Sequence, residues 1–433
     1  MSERTTGARS PLIELRRDLH RHPEPAWREF YTTARVVQEL RAFDCDCEVL
    51  LGREMLAEGA REEVPDDAEL EEWLDRARET DADGALLDQL AGGYTGAMAT
   101  IESGEGPTVA LRVDIDGLPC RESSSPDHVP AAEGFRSEHE GYMHACGHDA
   151  HATIGLGVLR AVAESDFEGT LKVVFQPAEE RIGGAKPIAE SGHLDDVDAL
   201  LAVHIGLGHP SGEVVAGIDD FLAVAQFDAT FEGESAHAGA QPNRGHDAVQ
   251  AMAAAVQNLA AIPRHEDGAT RVNAGRVGGG TASNIVPEEA FVRGEVRGET
   301  TALMEYTRER ATRVFEGAAV MHGCSATVEY GAEAPSAASD ERLVDHVAAV
   351  AGETPGVDTV RRRDALGGSE DATYLMRRVQ EQGGLAGYVC IGTDHPGGHH
   401  TSTFDVDEES LLVGVGVLGN ALLGLLGPES PLD

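Results

Sequence analysis

The sequence predicts an α/β protein of two domains, the smaller inserted into the larger. Three observations lead there. At 433 residues the chain is too long for one ordinary domain. Strand-like runs at 108–113, 171–176 and 199–204 alternate with helical patterns, which argues for a sheet with helices on both faces. From about Phe221 the order becomes strand, helix, two strands, helix, strand, and after about Ala334 the first pattern resumes.

Leu12, Leu15 and Leu19 fall at helical spacing, and Pro23 and Pro25 stop that helix. A second helical pattern runs from about Trp27 to Leu40. Residues 53–92 are rich in Asp and Glu, with helical patches around Trp73, and read as an acidic insertion, a flap or surface helix. Ile154 to Ala163 continues as a helix. Asp114, Asp116, Glu179, Glu180 and His204 sit at or just past the carboxyl ends of the strands, where open α/β sheets place their sites.

Leu222 to Phe231 alternates as a strand, and Asp247 to Ala261 is an Ala-rich helix. Strands follow near Thr270–Val277 and Ala290–Val296, then a helix at Leu303–Met321 and a strand at Ala326–Tyr330. This βαββαβ order is that of a ferredoxin-like domain. The expected domains are therefore 1–220 (with the insertion at 53–92), the inserted 221–332, and 333–433 completing the first. Leu411 to Leu426, the most apolar stretch, is too short to span a bilayer and contains Asn420, so it reads as a buried C-terminal helix.

Asp and Glu number 76 against 34 Lys and Arg, a net charge of −42, and Lys occurs only at Lys172 and Lys186. Such a surface repels nucleic acid and anionic membranes. It suits a salt-adapted, halophile-type protein, whose self-repulsion is screened at high ionic strength. Cys45, Cys47, Cys120, Cys146, Cys324 and Cys390 are scattered without a CxxC framework, which points to reduced thiols in the cytoplasm. Met1-Ser-Glu-Arg-Thr-Thr carries no apolar signal core.

The chemistry concentrates in His144-Ala-Cys-Gly-His-Asp-Ala-His151. Cys146 and His148 flank Gly147, so a turning backbone can aim both at one point. With Gln176-Pro-Ala-Glu179-Glu180, Val203-His204 and His399-His400, they suggest a dinuclear metal site built from several loops. Cys and His suit Zn(II), and Glu widens the choice to Mn(II) or Co(II). A single His usually has no such role; the joint occurrence at strand ends carries the inference. Adjacent Glu179 and Glu180 in extended backbone point to different sides. One can bind metal while the other takes a proton from a water acidified between two cations, a combination that hydrolyses amides. A non-catalytic metal-binding scaffold would have no need of that base.

These motifs resemble the M20 metallopeptidase family, in the amidohydrolase branch with a Cys-Gly-His-Asp motif. The resemblance covers nearly the whole chain. It runs through Arg112-Val-Asp-Ile-Asp-Gly-Leu-Pro119, Met143-His-Ala-Cys-Gly-His-Asp149, Phe175-Gln-Pro-Ala-Glu-Glu180 and Val203-His-Ile-Gly206. It continues through Ser235-Ala-His-Ala-Gly239, Ser283-Asn-Ile-Val-Pro287 and Gly368-Ser-Glu-Asp-Ala-Thr373. It implies a discontinuous catalytic domain with a mixed sheet and an inserted dimerisation domain, as a homodimer or a heteromer with a homologous chain. It implies two divalent cations per protomer on Cys146, which bridges, His148, Glu180, His204 and His400. His400 is preferred over His399 because the family's ligand precedes a Phe by four positions, here Phe404.

Glu179 becomes the general base, and Asp116 and Asp149 orient ligands. His237 reaches into the partner's active site to stabilise the oxyanion, and Asn284 contacts substrate. Arg297, at a strand end, has the chemistry to clamp a substrate carboxylate. The implied substrate is an N-acyl or N-aroyl amino acid, with p-aminobenzoyl-glutamate the named candidate and a broader aminoacylase or carboxypeptidase the alternative. The resemblance suggests manganese, whereas a thiolate bridge favours zinc.

Overall fold

The computed structural model describes residues 10–43, 46–395, 397–427 and 430–432; Cys45 and the N-terminal stretch without a signal core lie outside them. Pro11 opens α1 (Pro11–Arg21) at a position where its missing N–H has no helical partner to lose. Before α2 (Phe30–Ala42), the buried carboxylate of Glu24 accepts the N–H groups of Tyr31 and Thr32, both at 2.9 Å. That satisfies two of the donors a helix start leaves over.

Strand β1 (Cys47–Leu51) leads into α3 (Gly52–Met55), α4 (Asp67–Arg78) and α5 (Gly84–Leu90). The acidic insertion is thus no flap. Leu70, Trp73, Leu74, Leu86, Leu87 and Leu90 are buried, and α4 and α5 pack on α2 with their acidic residues outward. Asp66 and Asp83 cap the two helices through Glu69 N–H and Ala85 N–H. Apolar residues at helical spacing decide the structure; the acidic ones only decide which side faces water.

There follow β2 (Ala97–Ser103), β3 (Thr108–Asp114), α6 (Val129–Glu133), α7 (His148–Ala163), β4 (Gly169–Gln176), α8 (Ala185–Glu190), β5 (Ala199–Ile205), β6 (Glu213–Val215) and β7 (Ile218–Asp219). Helix α7 starts at His148 rather than Ile154, because Gly147 turns the chain at φ 87° directly before it. The next elements are β8 (Ala223–Glu232), α9 (Ala248–Leu259), β9 (Thr270–Gly279), β10 (Glu289–Gly298), α10 (Thr301–Met321) and β11 (Ser325–Ala334). The chain closes with α11 (Glu341–Glu353), β12 (Thr359–Arg361), β13 (Asp364–Ala365), α12 (Ala372–Glu381), β14 (Leu385–Ile391) and α13 (Glu409–Leu425).

The chain divides into two compact units, Met1–Asp219 with Ala338–Leu366 and Tyr374–Asp433, and Asp220–Ala337 with Gly367–Thr373. The first holds a mixed sheet ordered β1-β2-β4-β3-β5-β14-β6-β12. Its centre, β4-β3-β5-β14, is parallel, and β2 and β6 flank it antiparallel. Val109, Leu111, Val113, Val173, Phe175, Leu201, Val203 and Val389 fill the core with Leu15, Leu156, Leu418 and Leu422 of α1, α7 and α13. An ionic cluster joins α1 to the start of α7. Asp149 meets Arg16 and His20, each at 2.8 Å, and His20 also meets Glu122 at 2.9 Å, all fully buried side chains. Buried charge of this kind persists only when every member is paired.

The second unit has the expected βαββαβ order, with an antiparallel sheet β11-β8-β10-β9. Phe227, Phe231, Ala251, Ala255, Val292 and Phe315 form its core between the sheet and α9 and α10. The short segment Gly367–Thr373 groups with it because Leu222 N–H donates to Gly368 O at 2.7 Å and Ser369 Oγ to Leu222 O at 2.7 Å.

Candidate metal centre

The parallel strands deliver their side chains to one edge of the first unit's sheet. Asp114 ends β3 and pairs in register with Gln176, the last residue of β4. Beyond Gln176 the chain bends through Ala178 into a single 3-10 turn, Glu179–Arg181. His204 lies on β5, Cys146 just before Gly147, and His148 is the first residue of α7. Convergence at the carboxyl ends of strands is the placement expected of an open α/β sheet.

Two of the clusters that result share a thiol. Ligand atoms of Cys146, His148 and Glu180 lie within 4.8 Å of one another, as do those of Cys146, His204 and His399. Cys146 Sγ is 3.4 Å from His204 Nε2. His204 donates its Nδ1–H to Ile205 O at 2.8 Å, which leaves the Nε2 lone pair facing the thiol. Asp116 serves two ligands together: Oδ1 is 3.1 Å from His148 Nδ1, and Oδ2 accepts Glu180 N–H at 3.0 Å. Such outer bonds fix a ligand's tautomer and direction. His151 adds a second tie, hydrogen-bonding Asp114 and accepting Ile205 N–H at 2.8 Å.

The residues fit a divalent cation. His148 Nε2 and Glu180 Oε1 are buried with no hydrogen-bond partner, a rare condition for such atoms. Burial lowers the His148 pKa, but the carboxylates of Asp114, Asp116 and Glu180 outweigh it and raise it to about 10. Burial pushes Glu180 up to about 8. The His148 shift records the negative charge around it and the Glu180 shift records the dryness of the site, and a bound cation would be favoured by both. Burial, with His151 and His399 nearby, holds His204 well below the usual histidine range, so it stays a neutral lone-pair donor.

The remaining expected residues fall in several places. A Glu179 carboxylate oxygen lies within 4.8 Å of one of Asp114, which sets it beside the first cluster. Its backbone is a 3-10 turn rather than extended, and successive side chains there diverge by about 120°, so Glu179 and Glu180 still face different sides. His400 Nε2 lies 3.6 Å from Glu180 Oε1, and its N–H donates to Ala145 O at 2.8 Å; its side chain is 57% exposed. His399, passed over on the sequence, joins the second cluster and donates Nε2–H to Ile205 O at 3.1 Å. The doublet itself was the available signal, since neighbours in a turn can serve two ions.

Asp149 is a correction. It touches no ligand, and its carboxylate is spent on Arg16, His20 and Ala150 N–H. One residue on from His148 in a helix lies about 100° round the axis, which turns Asp149 toward α1 instead. Arg297 lies on β10 of the second unit, where its guanidinium pairs with Glu295, two residues earlier, at 2.8 and 3.1 Å. His237 and Asn284 belong to the second unit and are exposed. Ala238 N–H donates to Asn284 O at 3.0 Å, and His237 Nδ1 accepts Gly239 and Ala240 N–H at 3.1 Å. With Nδ1 used as an acceptor, Nε2 is the ring nitrogen left to donate.

Residues 110–424 match the profile of peptidase family M20/M25/M40. The chain is 42% identical to indole-3-acetyl-aspartic acid hydrolase of Enterobacter agglomerans, with 94% of each chain covered. It is 40% identical to one of the subunits of p-aminobenzoyl-glutamate hydrolase from Escherichia coli (strain K12), with 95% of each covered. A solved aminobenzoyl-glutamate utilization protein from Klebsiella pneumoniae superposes with a TM-score of 0.80 at 36% identity, over 95% of both chains. A dinuclear metal-binding M20 peptidase from Bacillus subtilis gives 0.69 at 25% identity, over 96% of this chain and 97% of that one. Shared fold, shared length and a buried Cys-His-Glu cluster at the strand ends agree: this chain belongs to peptidase family M20/M25/M40, as a metal-dependent amidohydrolase.

Proposed function

We propose that the chain hydrolyses the amide joining an aromatic acyl group to an acidic amino acid, with p-aminobenzoyl-glutamate as the lead substrate. The observation that carries this is the pair of clusters sharing Cys146, flanked by Glu179. Relatives named for p-aminobenzoyl-glutamate and indole-3-acetyl-aspartic acid supply the substrate class. Cys146, His148, Glu180 and His204 would hold two divalent cations, with His399 and His400 completing the two sides. When bound, the cations acidify water and polarise the amide carbonyl. Glu179 accepts the proton of the attacking water and returns it to the departing nitrogen. His237 offers its Nε2–H to the developing oxyanion of a partner's site.

The deciding assay is a substrate panel on protein loaded with Mn(II) or Zn(II). Aroyl and arylacetyl conjugates of Glu and Asp are expected to exceed N-acetyl amino acids in kcat/KM by about 100-fold, the scale of a buried aromatic contact plus a carboxylate contact. A preference for N-acetyl amino acids would favour the aminoacylase alternative, and no turnover on any amide would end both. Metal analysis of the purified protein chooses between manganese, which the family resemblance suggests, and zinc, which the thiolate favours. The exposed inserted unit is the proposed dimer contact, with a second copy or with a homologous chain; relatives named as one component of a larger hydrolase support the second choice.

A cytoplasmic, salt-rich setting fits the surface. No helix among the described residues is long and apolar enough to cross a membrane, and no disulfide joins the described cysteines. With a net charge of −42, self-repulsion is the dominant surface term at low salt. Screening shortens from about 10 Å at 0.1 M to about 3 Å at 1 M. The melting temperature is therefore expected to climb as KCl is raised from about 0.1 M to molar concentration; a flat or falling curve would remove the salt-adapted assignment.

A further inference from the structure

The backbone around the two glutamates is unusual. Ala178 (φ 56°, ψ 36°) and Ile182 (φ 53°, ψ 42°) both adopt left-handed conformations, on either side of the turn Glu179–Arg181. Non-glycine residues rarely do so, and a β-branched residue least of all. Such backbone persists where surrounding structure over-determines it. Inside the turn, Ile182 N–H donates to Glu179 O at 2.7 Å and Gly183 N–H to Ala178 O at 3.0 Å. Those bonds close the loop but do not aim it.

The aim comes from outside. Asp116 fixes Glu180 N–H at 3.0 Å. The preceding peptide is fixed by Glu29, which the metal chemistry does not use. Glu29 is fully buried at the N-cap of α2, with one carboxylate oxygen accepting Ala178 N–H at 2.8 Å and the other accepting Thr95 Oγ–H at 2.6 Å. On the far side, the start of the acidic insertion closes over the same loop. Lys186 Nζ meets Glu62 at 2.6 Å, Trp27 Nε1–H donates to Glu62 O at 2.8 Å, and Ala57 N–H donates to Pro187 O at 2.9 Å. The two ends of the loop pack closely, since a Cβ on Gly184 would lie 1.7 Å from Pro177 O, where only glycine fits.

We propose that Glu29 is a positioning residue for the catalytic turn: its carboxylate anchors the Ala178 peptide and so sets the directions in which Glu179 and Glu180 leave the backbone. This rests on the roles given to those two residues above. Burial, reinforced by the charge of Asp116, pushes Glu29 up to about 8, so a neutral amide is a fair replacement for it. In Glu29→Gln the amide oxygen still accepts Ala178 N–H, and its NH2 donates to Thr95 Oγ in place of receiving from it. Glu29→Ala removes both bonds. Glu29→Asp keeps the acid but withdraws it by one methylene.

The test uses the full chain loaded with metal, with kcat and KM on p-aminobenzoyl-glutamate and, separately, Co(II) titration followed by visible absorption. Glu29→Ala is expected to lose about 30- to 100-fold in kcat with KM within about 3-fold, the scale of a misplaced catalytic group. Its Co(II) affinity should fall about 10-fold, and Glu29→Asp should lose about 10-fold in kcat should the alanine variant not fold. Glu29→Gln should stay within about 3-fold in both readouts. Glu24→Gln, which weakens the neighbouring buried carboxylate that only caps α2, should lower the melting temperature with kcat and the Co(II) spectrum retained. Full kcat in Glu29→Ala, or losses in Glu24→Gln that match it, would overturn the proposal. If the unsubstituted protein hydrolysed no amide, the function would fall, and the Co(II) difference between Glu29→Ala and Glu29→Gln would still decide the positioning role.

Discussion

Glu179→Gln is expected to lower kcat by about 10²- to 10⁴-fold, the usual worth of a positioned general base, while the metal stays bound. Glu179 and Glu180 are neighbours to which the proposed reaction gives different tasks. Glu180 faces His148, with Oε1 3.9 Å from Nε2, and its N–H is held by Asp116. Glu179 leaves the 3-10 turn on another side and approaches Asp114. Glu179 is not among the residues of either Cys146 cluster, so the substitution removes no ligand atom from them. Because glutamine keeps the shape and cannot take a proton, KM should change little, which is the sign of an interaction made only in the transition state. Metal content and kcat measured on the same preparation make the test. Unchanged turnover would remove Glu179 from the role of base, and lost metal with lost turnover would make it a ligand instead.

Much of this was legible in the sequence, because the signals are local and of different kinds. The βαββαβ order of the inserted unit shows in hydrophobic periods alone, and strand and helix lie where those periods put them. The convergence of these residues was suggested by the sequence because His204 lies on an apolar strand, Glu180 follows another, and Gly147 turns the chain between Cys146 and the helix start at His148. What stayed hidden depends on who faces whom. Glu29, Arg16 and His20 lie on or at the start of helices whose composition looks like ordinary amphipathic surface, yet they are buried against partners 66 to 389 positions away. The insertion was read by its charge, although six apolar side chains settle its fold. The pairing of Arg297 with Glu295, two residues apart on the same strand face, was likewise not read from residue type. Short strands at or next to the sheet edges, such as β1, β6 and β12, carry too few residues for a period.

Cys146→Ala should be the most damaging single change at the metal centre, because this thiol is the one ligand common to both clusters. Loss of an outer-sphere partner alone costs about 10- to 100-fold in metal affinity, so loss of a shared inner ligand should exceed about 100-fold for each ion. His204→Ala offers the contrast. It belongs to the cluster with His399 only, so it should empty one side and leave the His148–Glu180 side occupied. The difference in stoichiometry, none against one, isolates the bridging role from mere ligation. Cys146→Ser separates charge from softness. An oxygen in place of sulfur should disfavour Zn(II) relative to Mn(II), since hard ligands suit the harder ion. Gly147 sits at φ 87°, and a Cβ there would come within 2.6 Å of Ile205, so the turn after Cys146 requires glycine. Two ions retained by Cys146→Ala, counted by elemental analysis after dialysis, would show that the clusters are held independently and would dissolve the shared-thiolate description of this site.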